Sequence, residues 1–169
     1  VAGGVGSAPL YPQLRALANM GVECDVIIGG REAQYVLLAD KFKEFCKHVY
    51  ITTDDGSLGE KGFVTTKLQE LIDNKESIDE VIAIGPVPMM KAVVGVTKPH
   101  NIKTSVSLNP IMIDGTGMCG CCRVSVDGKI KFACVDGPDF DGLQVDFDEL
   151  MARQRMFKEE EHEVMENAD

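Results

Sequence analysis

The stretch VAGGVGSAPLYPQLRALANMG, residues 1–21, decides the fold because it joins an apolar strand end to a helix through a glycine-rich turn. Leu10, Leu14 and Leu17 have helical spacing, and Gly21 is a typical stop signal. The apolar, β-branched run VECDVIIGG follows and predicts a buried strand. A strand, a helix and a second strand in this order indicate one unit of a parallel sheet.

The same alternation continues to residue 108. Further strands are predicted for HVYITT, DEVIAIG and IKTSVSL, and further helices for residues 35–46, FVTTKLQELIDN and PMMKAVVGV. The apolar face of the helix at residues 35–46 consists of Tyr35, Leu38, Phe42, Phe45 and Cys46. Apolar strands separated by helices are typical of a sheet that is covered on both faces. We therefore expect an α/β fold, a doubly wound parallel five-stranded sheet, over residues 1–108.

After Leu108 the alternation ends, and two smaller segments follow. Residues 109–145 are rich in Gly, Asp and Cys, and RVSVDGKIKFA predicts a hairpin that turns at Asp127-Gly128. Residues 146–169 predict an amphipathic helix with an acidic tail, in which Asp146 and Glu149 have capping-box spacing. The apolar stripe of this helix is Phe147, Leu150, Met151 and Phe157.

Three glycine-containing stretches stand where predicted parallel strands end. They are GGVGSAPL, IGGRE and IGPVPMM. Small residues let a pyrophosphate approach the backbone, and a helix N-terminus offers free N–H groups to it. One such turn is often purely structural and GxGxxG is absent, but three turns at one sheet edge favour nucleotide binding. The expected cofactor-binding residues are Gly3, Gly4, Val5, Gly6, Ser7, Ala8, Gly30, Arg31, Gly85, Pro86 and Met89.

The third predicted strand ends in TTDD, which bears on the choice of nucleotide. An acidic residue there can accept a hydrogen bond from the ribose 2′-hydroxyl and repel a 2′-phosphate. We therefore predict NAD(H) rather than NADP(H), with Asp54 or Asp55 responsible. The alternative is that both aspartates only initiate the following turn.

The stretch DGTGMCGCCRVSVDGKIKFAC, residues 114–134, holds most of the cysteines. A plant-type [2Fe–2S] loop has the spacing C-x4-C-x2-C, with a fourth ligand farther along the chain. Here the spacing is D-x4-C-x2-C, which makes Asp114, Cys119, Cys122 and Cys134 the candidate ligands. A carboxylate oxygen is a harder but acceptable iron ligand. The glycines between these residues suit a loop that wraps around a cluster.

Three other interpretations of these cysteines stay open. The first is an all-cysteine ligand set of Cys119, Cys121, Cys122 and Cys134, although adjacent Cys121 and Cys122 would strain the loop. Zinc binding is a second alternative, but only one C-x2-C half-site is present. Free thiols in a core are the third. We expect Cys24 and Cys46, which lie in apolar segments, to be small core residues.

Charge and composition exclude several classes of function. The net charge is −10, and residues 135–169 hold 12 acidic and 3 basic residues. This acidic end would repel nucleic acid phosphates, so it is either a solvated surface or a docking site for a basic partner. No apolar run reaches the ~18 residues of a membrane span, and no signal peptide is visible. We expect a cytoplasmic protein without a disulfide framework.

The order GGVGSAPL, IGGRE and IGPVPMMKAV resembles the nucleotide half of the ferredoxin–NADP reductase superfamily. It is most similar to the iron–sulfur branch: dihydroorotate dehydrogenase electron-transfer subunits and the small subunit of NADH-dependent ferredoxin–NADP oxidoreductase (sulfide dehydrogenase). The former usually have cysteine at the position of Asp114, whereas the latter has aspartate and an approach similar to NPIMIDGTGMCG. In these families an FAD-binding β-barrel precedes the nucleotide domain. Its absence and the opening at Val1 predict a fragment of a longer polypeptide.

The resemblance implies a redox subunit that passes electrons between NAD(H), FAD in the upstream barrel and a [2Fe–2S] cluster. Its implied partner is a larger flavin- and iron–sulfur-containing catalytic subunit, contacted by the cluster region and the acidic final helix. We find no catalytic triad and no required general acid or base, and expect the chain alone to be incomplete as an enzyme. One alternative is a dihydroorotate dehydrogenase electron-transfer subunit. A second is a non-enzymatic, zinc-stapled nucleotide-binding module.

Overall fold

A computed structural model describes residues 1–167, and Ala168 and Asp169, which belong to the predicted acidic tail, lie outside the described residues. The helices are α1 (Ser7–Asn19), α2 (Ala39–Phe42), α3 (Val64–Asp73), α4 (Val87–Thr97), α5 (Ala133–Asp136), α6 (Phe147–Gln154) and α7 (Lys158–Glu166). The strands are β1 (Ala2–Gly3), β2 (Asp25–Gly30), β3 (His48–Thr53), β4 (Glu60–Lys61), β5 (Glu80–Ile84), β6 (Lys103–Ser107), β7 (Arg123–Val126), β8 (Lys129–Phe132) and β9 (Asp139–Asp141).

The main sheet confirms the predicted doubly wound α/β architecture. Its strand order is β4-β3-β2-β1-β5-β6-β9, and every pair except β6–β9 is parallel. The predicted number of five strands is wrong, because two short edge strands are added. β4 has two residues and β9 has three, which is too short to show a periodic pattern in the sequence.

Alternating residues of the strands build an apolar cluster on each face of the sheet. Val26 and Ile28 pack with α1 and α2, whereas Ile27 between them packs with α3 and α4. This alternation follows from the two-residue period of a strand. The cluster around α4 also includes Leu150 of α6, so the final segment belongs to the core. Packing on both faces of the sheet therefore fixes the positions of the strand ends, where the glycine-containing turns lie.

The helix predicted for residues 35–46 is wrong as one continuous element. A 3₁₀ turn at Ala33–Tyr35 is followed by the four-residue helix α2. Leu38 between them has φ +62°, a left-handed conformation that interrupts a helix. Phe42 is fully buried and packs against Tyr11 and Phe45, so the predicted apolar spacing serves packing without a long helix.

The hairpin predicted after the cysteines is confirmed. β7 and β8 pair antiparallel, with Arg123 opposite Phe132. Asp127 and Gly128 have φ values of +52° and +66°, as a two-residue hairpin turn requires. The Asp127 N–H donates to the Gln144 carbonyl, which joins the hairpin to the segment before α6.

The single terminal helix predicted from Asp146 is instead two helices. The Asp146 side chain accepts from the Glu149 N–H at 2.9 Å, so the predicted N-cap is confirmed. A turn at residues 155–157 separates α6 from α7, and Phe157 is half-exposed instead of completing the apolar stripe. No residue of α7 is buried. Within residues 1–167, no helix combines the length and the apolar character that crossing a membrane requires.

Candidate functional sites

A cavity of about 420 Å³ opens at the carboxyl ends of β1, β2, β3 and β5. In an open parallel α/β sheet this edge is where ligands bind. The predicted cofactor-binding residues that line it are Gly3, Gly4, Val5, Gly30, Arg31, Asp54, Pro86 and Met89. The predicted residues that do not line it are Gly6, Ser7, Ala8, Asp55 and Gly85.

Two glycines bring the turns after β1 and β5 into close contact. A Cβ atom on Gly3 would stand 2.5 Å from the Met89 sulfur and 2.9 Å from Pro86. A Cβ atom on Gly85 would stand 3.0 Å from the Gly3 nitrogen. By contrast, a Cβ atom on Gly4 would meet nothing within 4 Å, and its φ of +53° favours glycine. Gly4 therefore presents bare backbone to the cavity.

Gly6, Ser7 and Ala8 lie behind the cavity rather than on its wall. A Cβ atom on Gly6 would stand 2.2 Å from the Ile84 carbonyl oxygen, so Gly6 permits α1 to pack against β5. Ser7 is fully buried at the start of α1, and Ala8 is exposed. These residues place the helix N-terminus, whose free N–H groups favour anions, behind the Gly3–Gly4 turn.

Asp54 and Asp55 have different surroundings. Asp54 lines the cavity, and its side chain accepts no hydrogen bond from the described residues. The Asp55 carboxylate accepts from the Ser57 N–H at 2.9 Å and from the Ser57 hydroxyl at 2.7 Å. These two bonds lower the pKa of Asp55. Asp55 thus stabilises the turn, and Asp54 is the aspartate that faces the cavity.

Sequence reasoning missed several lining residues. They are Gly29, Tyr35, Thr52, Gly62, Phe63 and Val64. Phe63 is the N-cap residue of α3 and is 64% exposed, so an aromatic residue at the first position of the predicted helix FVTTKLQELIDN was the available signal. Tyr35 was assigned to a helix face, but its 3₁₀ turn brings it against Gly30 at the cavity.

The polar groups of the cavity wall are few. The Thr52 side chain is 2% exposed, and its hydroxyl has no hydrogen-bond partner in the part of the chain that the structure describes. A buried hydroxyl without a partner is costly unless a ligand or water supplies one. Arg31 is exposed and forms no ion pair with residues 1–167. The wall therefore combines the Arg31 cation and the Asp54 carboxylate, neither of which is paired within residues 1–167, with the buried Thr52 hydroxyl.

Lys67 links β4 to α3 on the side of the cavity where Phe63 lies. Its ammonium lies 2.6 Å from the Glu60 carboxylate in β4 and 3.0 Å from Glu70 in α3. It also stands 5.1 Å from the centre of the Tyr50 ring. Hydrogen bonds to Glu60 and Glu70 raise the pKa of Lys67. These contacts tie β4, which directly precedes the cavity residues, to the rigid helix.

The iron–sulfur loop, which we define as residues 109–122, lies outside the main sheet. Gly115, Gly117 and Gly120 have φ values between +67° and +85°, so the chain turns sharply at each of them. A Cβ atom on Gly117 would stand 3.2 Å from the Val135 side chain. The Ala133 N–H donates to the Cys122 carbonyl at 3.1 Å. These contacts place the loop beside α5, which carries Cys134.

The thiols of this region lie in two pairs. The Cys122 and Cys134 sulfurs are 3.2 Å apart, with Cys122 buried and Cys134 half-buried. Cys119 is exposed and contacts Cys121. Hydrogen bonds from the main chain of Cys121 and Asp114 lower the pKa of Cys119, whereas its hydrogen bond to Cys119 raises the pKa of Cys121.

The structure brings the predicted iron ligands together only in part. The Asp114 carboxylate accepts hydrogen bonds from the N–H and the hydroxyl of Thr116. Among residues 1–167, no three His, Cys, Asp or Glu side chains converge closely enough to hold one ion. Two of the predicted ligands, Cys122 and Cys134, are therefore in contact through their sulfurs. Cys119 lies next to the main chain of Asp114.

Helix α6 holds the iron–sulfur loop at both ends. The Arg153 guanidinium donates to the Cys121 carbonyl at 3.1 Å. The Gln154 amide donates to the Asn109 carbonyl at 2.8 Å. Leu150, which is 1% exposed, anchors the same helix in the core. The loop is thus attached to the folded body through consecutive residues of one helix.

The chain is similar to several known proteins. A Thermotoga maritima protein named dihydroorotate dehydrogenase B (NAD(+)), electron transfer subunit homolog, is 47% identical over 95% of this chain and 56% of its own length. A Clostridium beijerinckii protein, named only for its position in the adh 3′ region, is 51% identical over 95% of this chain and 55% of its length. The chain spans little more than half of these relatives.

A solved structure is also similar to this chain. It is described in work on flavin-based electron bifurcation by the NADH-dependent reduced ferredoxin-NADP oxidoreductase. It superposes with a TM-score of 0.87 at 44% identity, covering 98% of this chain and 59% of that chain. The resemblance stated from the sequence motifs is therefore confirmed.

Two family models match the two parts of the molecule. Residues 109–146, which include the paired thiols, match the iron-sulfur cluster binding domain of dihydroorotate dehydrogenase B. Residues 1–95, which include the strand ends around the cavity, match the oxidoreductase NAD-binding domain. This second match covers more than half of the chain, and the chain therefore belongs to the oxidoreductase NAD-binding domain family, with an iron–sulfur cluster binding domain following it.

Proposed function

We propose that the protein is the electron-transfer subunit of a flavin- and iron–sulfur-containing oxidoreductase of the ferredoxin–NADP oxidoreductase type. It passes electrons between NAD(H), FAD and a [2Fe–2S] cluster. The observation that carries this proposal is the combination, in one chain, of a cavity at parallel strand ends and a thiol-rich loop fastened to the same core. Neither feature alone would separate an electron-transfer subunit from other nucleotide-binding proteins.

The cavity residues suit NAD(H). The bare backbone at Gly3 and Gly4 lets the pyrophosphate approach the start of α1. Asp54 accepts a hydrogen bond from the ribose hydroxyls and disfavours a 2′-phosphate. The buried Thr52 hydroxyl has no partner within residues 1–167, so it can donate to or accept from the nucleotide. Bound nicotinamide supplies hydride chemistry, and the chain's own task is to bind and orient it without a general acid or base.

The loop residues suit a [2Fe–2S] cluster by their donor chemistry. Three thiols and one carboxylate, from Cys119, Cys122, Cys134 and Asp114, lie on a glycine-rich loop and the adjoining helix. Thiolates are the usual ligands of such clusters, and a carboxylate is a harder substitute. When bound, the cluster supplies one-electron transfer. The loop residues would hold it, and the buried position of Cys122 would limit access of water.

FAD, the partner and the cellular location stay predictions. Splitting the two electrons of a hydride into single electrons requires a flavin, which the resemblance assigns to a separate β-barrel domain. The proposed partner is a larger flavin- and iron–sulfur-containing catalytic subunit. Helix α7 supports this contact, because it is acidic and leaves Val164 and Met165 exposed. We propose a cytoplasmic complex.

A second candidate is the electron-transfer subunit of dihydroorotate dehydrogenase. The family match of residues 109–146 and the name of the Thermotoga maritima relative favour it. Asp114 favours the ferredoxin–NADP oxidoreductase type, because the small subunit that the sequence resembles has aspartate at this position. The zinc-stapled module is the remaining alternative, and metal analysis separates it because zinc is redox-silent.

The proposal is tested on the protein purified without oxygen from its own cells, together with its accompanying subunits. We expect NADH to generate the EPR signal of a reduced [2Fe–2S] cluster and NADPH to do so more slowly. Reduction by dihydroorotate would assign the protein to the second candidate. If neither NADH nor NADPH reduced a cluster that dithionite does reduce, the proposed electron path would be contradicted.

A further inference from the structure

We propose that Arg153 is a positioning residue that fixes the iron–sulfur loop and raises the reduction potential of the cluster. This inference rests on the proposed function, in which Asp114, Cys119, Cys122 and Cys134 bind a [2Fe–2S] cluster. It concerns a residue outside the ligand set and far from it in sequence, at the end of α6.

The contact of Arg153 is made to the centre of the ligand segment. Its guanidinium donates to the carbonyl of Cys121, which lies between Cys119 and Cys122, at 3.1 Å. Arg153 is half-buried. Within residues 1–167 it forms no ion pair, so no described carboxylate neutralises its charge.

Helix α6 holds this guanidinium in place. Phe147 and Leu150 are buried, which fixes the helix against the core. The Asp146 side chain caps the helix, and Lys91 of α4 lies 2.5 Å from Asp148. An arginine on a packed helix loses little further freedom when it makes a hydrogen bond, so the contact is well defined.

The charge of Arg153 acts on reduction of the cluster. One-electron reduction adds one electron, and hence one negative charge, to a centre that its anionic ligands already make negative. A nearby cation stabilises the reduced form more than the oxidised form, and net charge and hydrogen bonding are known determinants of cluster potential. A guanidinium stays protonated throughout the accessible pH range, so this effect is constant with pH.

The test compares R153Q with R155Q. Both variants remove one positive charge from the same helix end, but Arg155 is exposed and its side chain makes no hydrogen bond or ion pair with the described residues. In a redox titration with dithionite followed by EPR, we expect R153Q to lower the equilibrium constant for reduction about tenfold, which is 59 mV for one electron. We expect R155Q to change it less than about threefold. Equal shifts in both variants, or no shift in R153Q, would overturn the proposal.

R153K separates the charge from the geometry of the hydrogen bond. It keeps the charge, so the reduction equilibrium should stay within about threefold of wild type. A tenfold fall in R153K would contradict the electrostatic part of the inference. If R153Q does not retain its cluster while R155Q and R153K do, the loss itself supports the positioning role.

Amide hydrogen exchange of residues 119–122, measured in the same preparations, needs no cluster. We expect R153Q to accelerate this exchange about tenfold and R155Q to leave it unchanged, because only R153Q releases the Cys121 carbonyl. Equal exchange in the two variants would refute the positioning role. A wild-type protein without iron would contradict the proposed function, whereas the exchange result would still decide the role of Arg153.

Discussion

At the scale of single residues, Asp54 and Asp55 have different roles although they are neighbours with the same charge. Asp55 accepts two hydrogen bonds from Ser57 and stabilises the turn. Asp54 faces the cavity without such bonds. The sequence predicted that one of the two would contact the ribose, and only the turn geometry distinguishes them. The turn-forming interpretation of TTDD therefore holds for Asp55, and contact with the ribose stays a prediction for Asp54.

D54N should weaken NADH binding roughly three- to tenfold and narrow the preference for NADH over NADPH, because it removes a charged acceptor and the repulsion of a 2′-phosphate. D55N is the matched control, since the Asp55 side chain is occupied by Ser57. We expect it to change the affinity for NADH less than about twofold. Isothermal titration calorimetry with both nucleotides measures this. A larger effect of D55N than of D54N would refute the assignment.

The cysteines give a second contrast at this scale. C134S should lower the iron bound per chain by more than about half, because it removes a proposed thiolate ligand. C121S should retain the iron, since the Cys121 thiol is not a proposed ligand and the Cys121 carbonyl that accepts from Arg153 is unchanged by the substitution. Iron and acid-labile sulfide analysis after anaerobic reconstitution measures both variants. Equal loss from C121S would favour the all-cysteine ligand set.

At the scale of elements, the β1–α1 turn divides its glycines between packing and binding. Gly6 lets α1 approach the Ile84 carbonyl, whereas Gly4 leaves its backbone open to the cavity. The sequence stretch 3–8 was predicted to bind cofactor as a whole, because a run of small residues does not reveal which backbone atoms face inward. Local geometry assigns Gly6, Ser7 and Ala8 to the support of the helix.

G6A should destabilise the protein by about 1–3 kcal/mol, because the added methyl group would stand 2.2 Å from the Ile84 oxygen. G95A is the matched control within α4, where a Cβ atom would meet nothing within 4 Å. It should stabilise the protein by up to ~1 kcal/mol through helix propensity. Urea unfolding measures both free energies. A neutral G6A would show that the turn can shift without cost.

At the scale of the whole molecule, the final segment consists of two unlike parts. Helix α6 packs Phe147 and Leu150 into the core and holds the iron–sulfur loop, whereas α7 contributes no buried residue. Removing all of residues 146–169 to test partner assembly would therefore damage the fold itself. A truncation after Phe157 tests the predicted docking role of the acidic helix alone.

This truncation should leave the free energy of unfolding within about 0.5 kcal/mol of the full chain, because the described residues that it removes, 158–167, are all exposed. L150A, by contrast, should cost about 2–5 kcal/mol, since Leu150 is 1% exposed. Thermal and urea unfolding of both variants test this difference. A truncated chain as unstable as L150A would mean that α7 supports the core.

The parallel sheet was predictable from the sequence, because long apolar strands and intervening helices have clear periods. The short edge strands β4 and β9 were not, since two or three residues show no period. The positions of Tyr35 and Phe63 at the cavity depend on turns that bring distant segments together, which no local pattern encodes. The cluster spacing could be predicted because the candidate ligands lie close together in sequence, whereas the contact of Arg153 could not, because it joins residues 32 positions apart.

We propose that this chain carries both a nucleotide site and an iron–sulfur centre. The most direct measurement is the iron, sulfide and zinc content of the protein purified without oxygen, with EPR after dithionite reduction. The account predicts two irons and two sulfides per chain and an S = ½ signal from the reduced cluster. Stoichiometric zinc, with no iron taken up on reconstitution and no EPR signal, would contradict it.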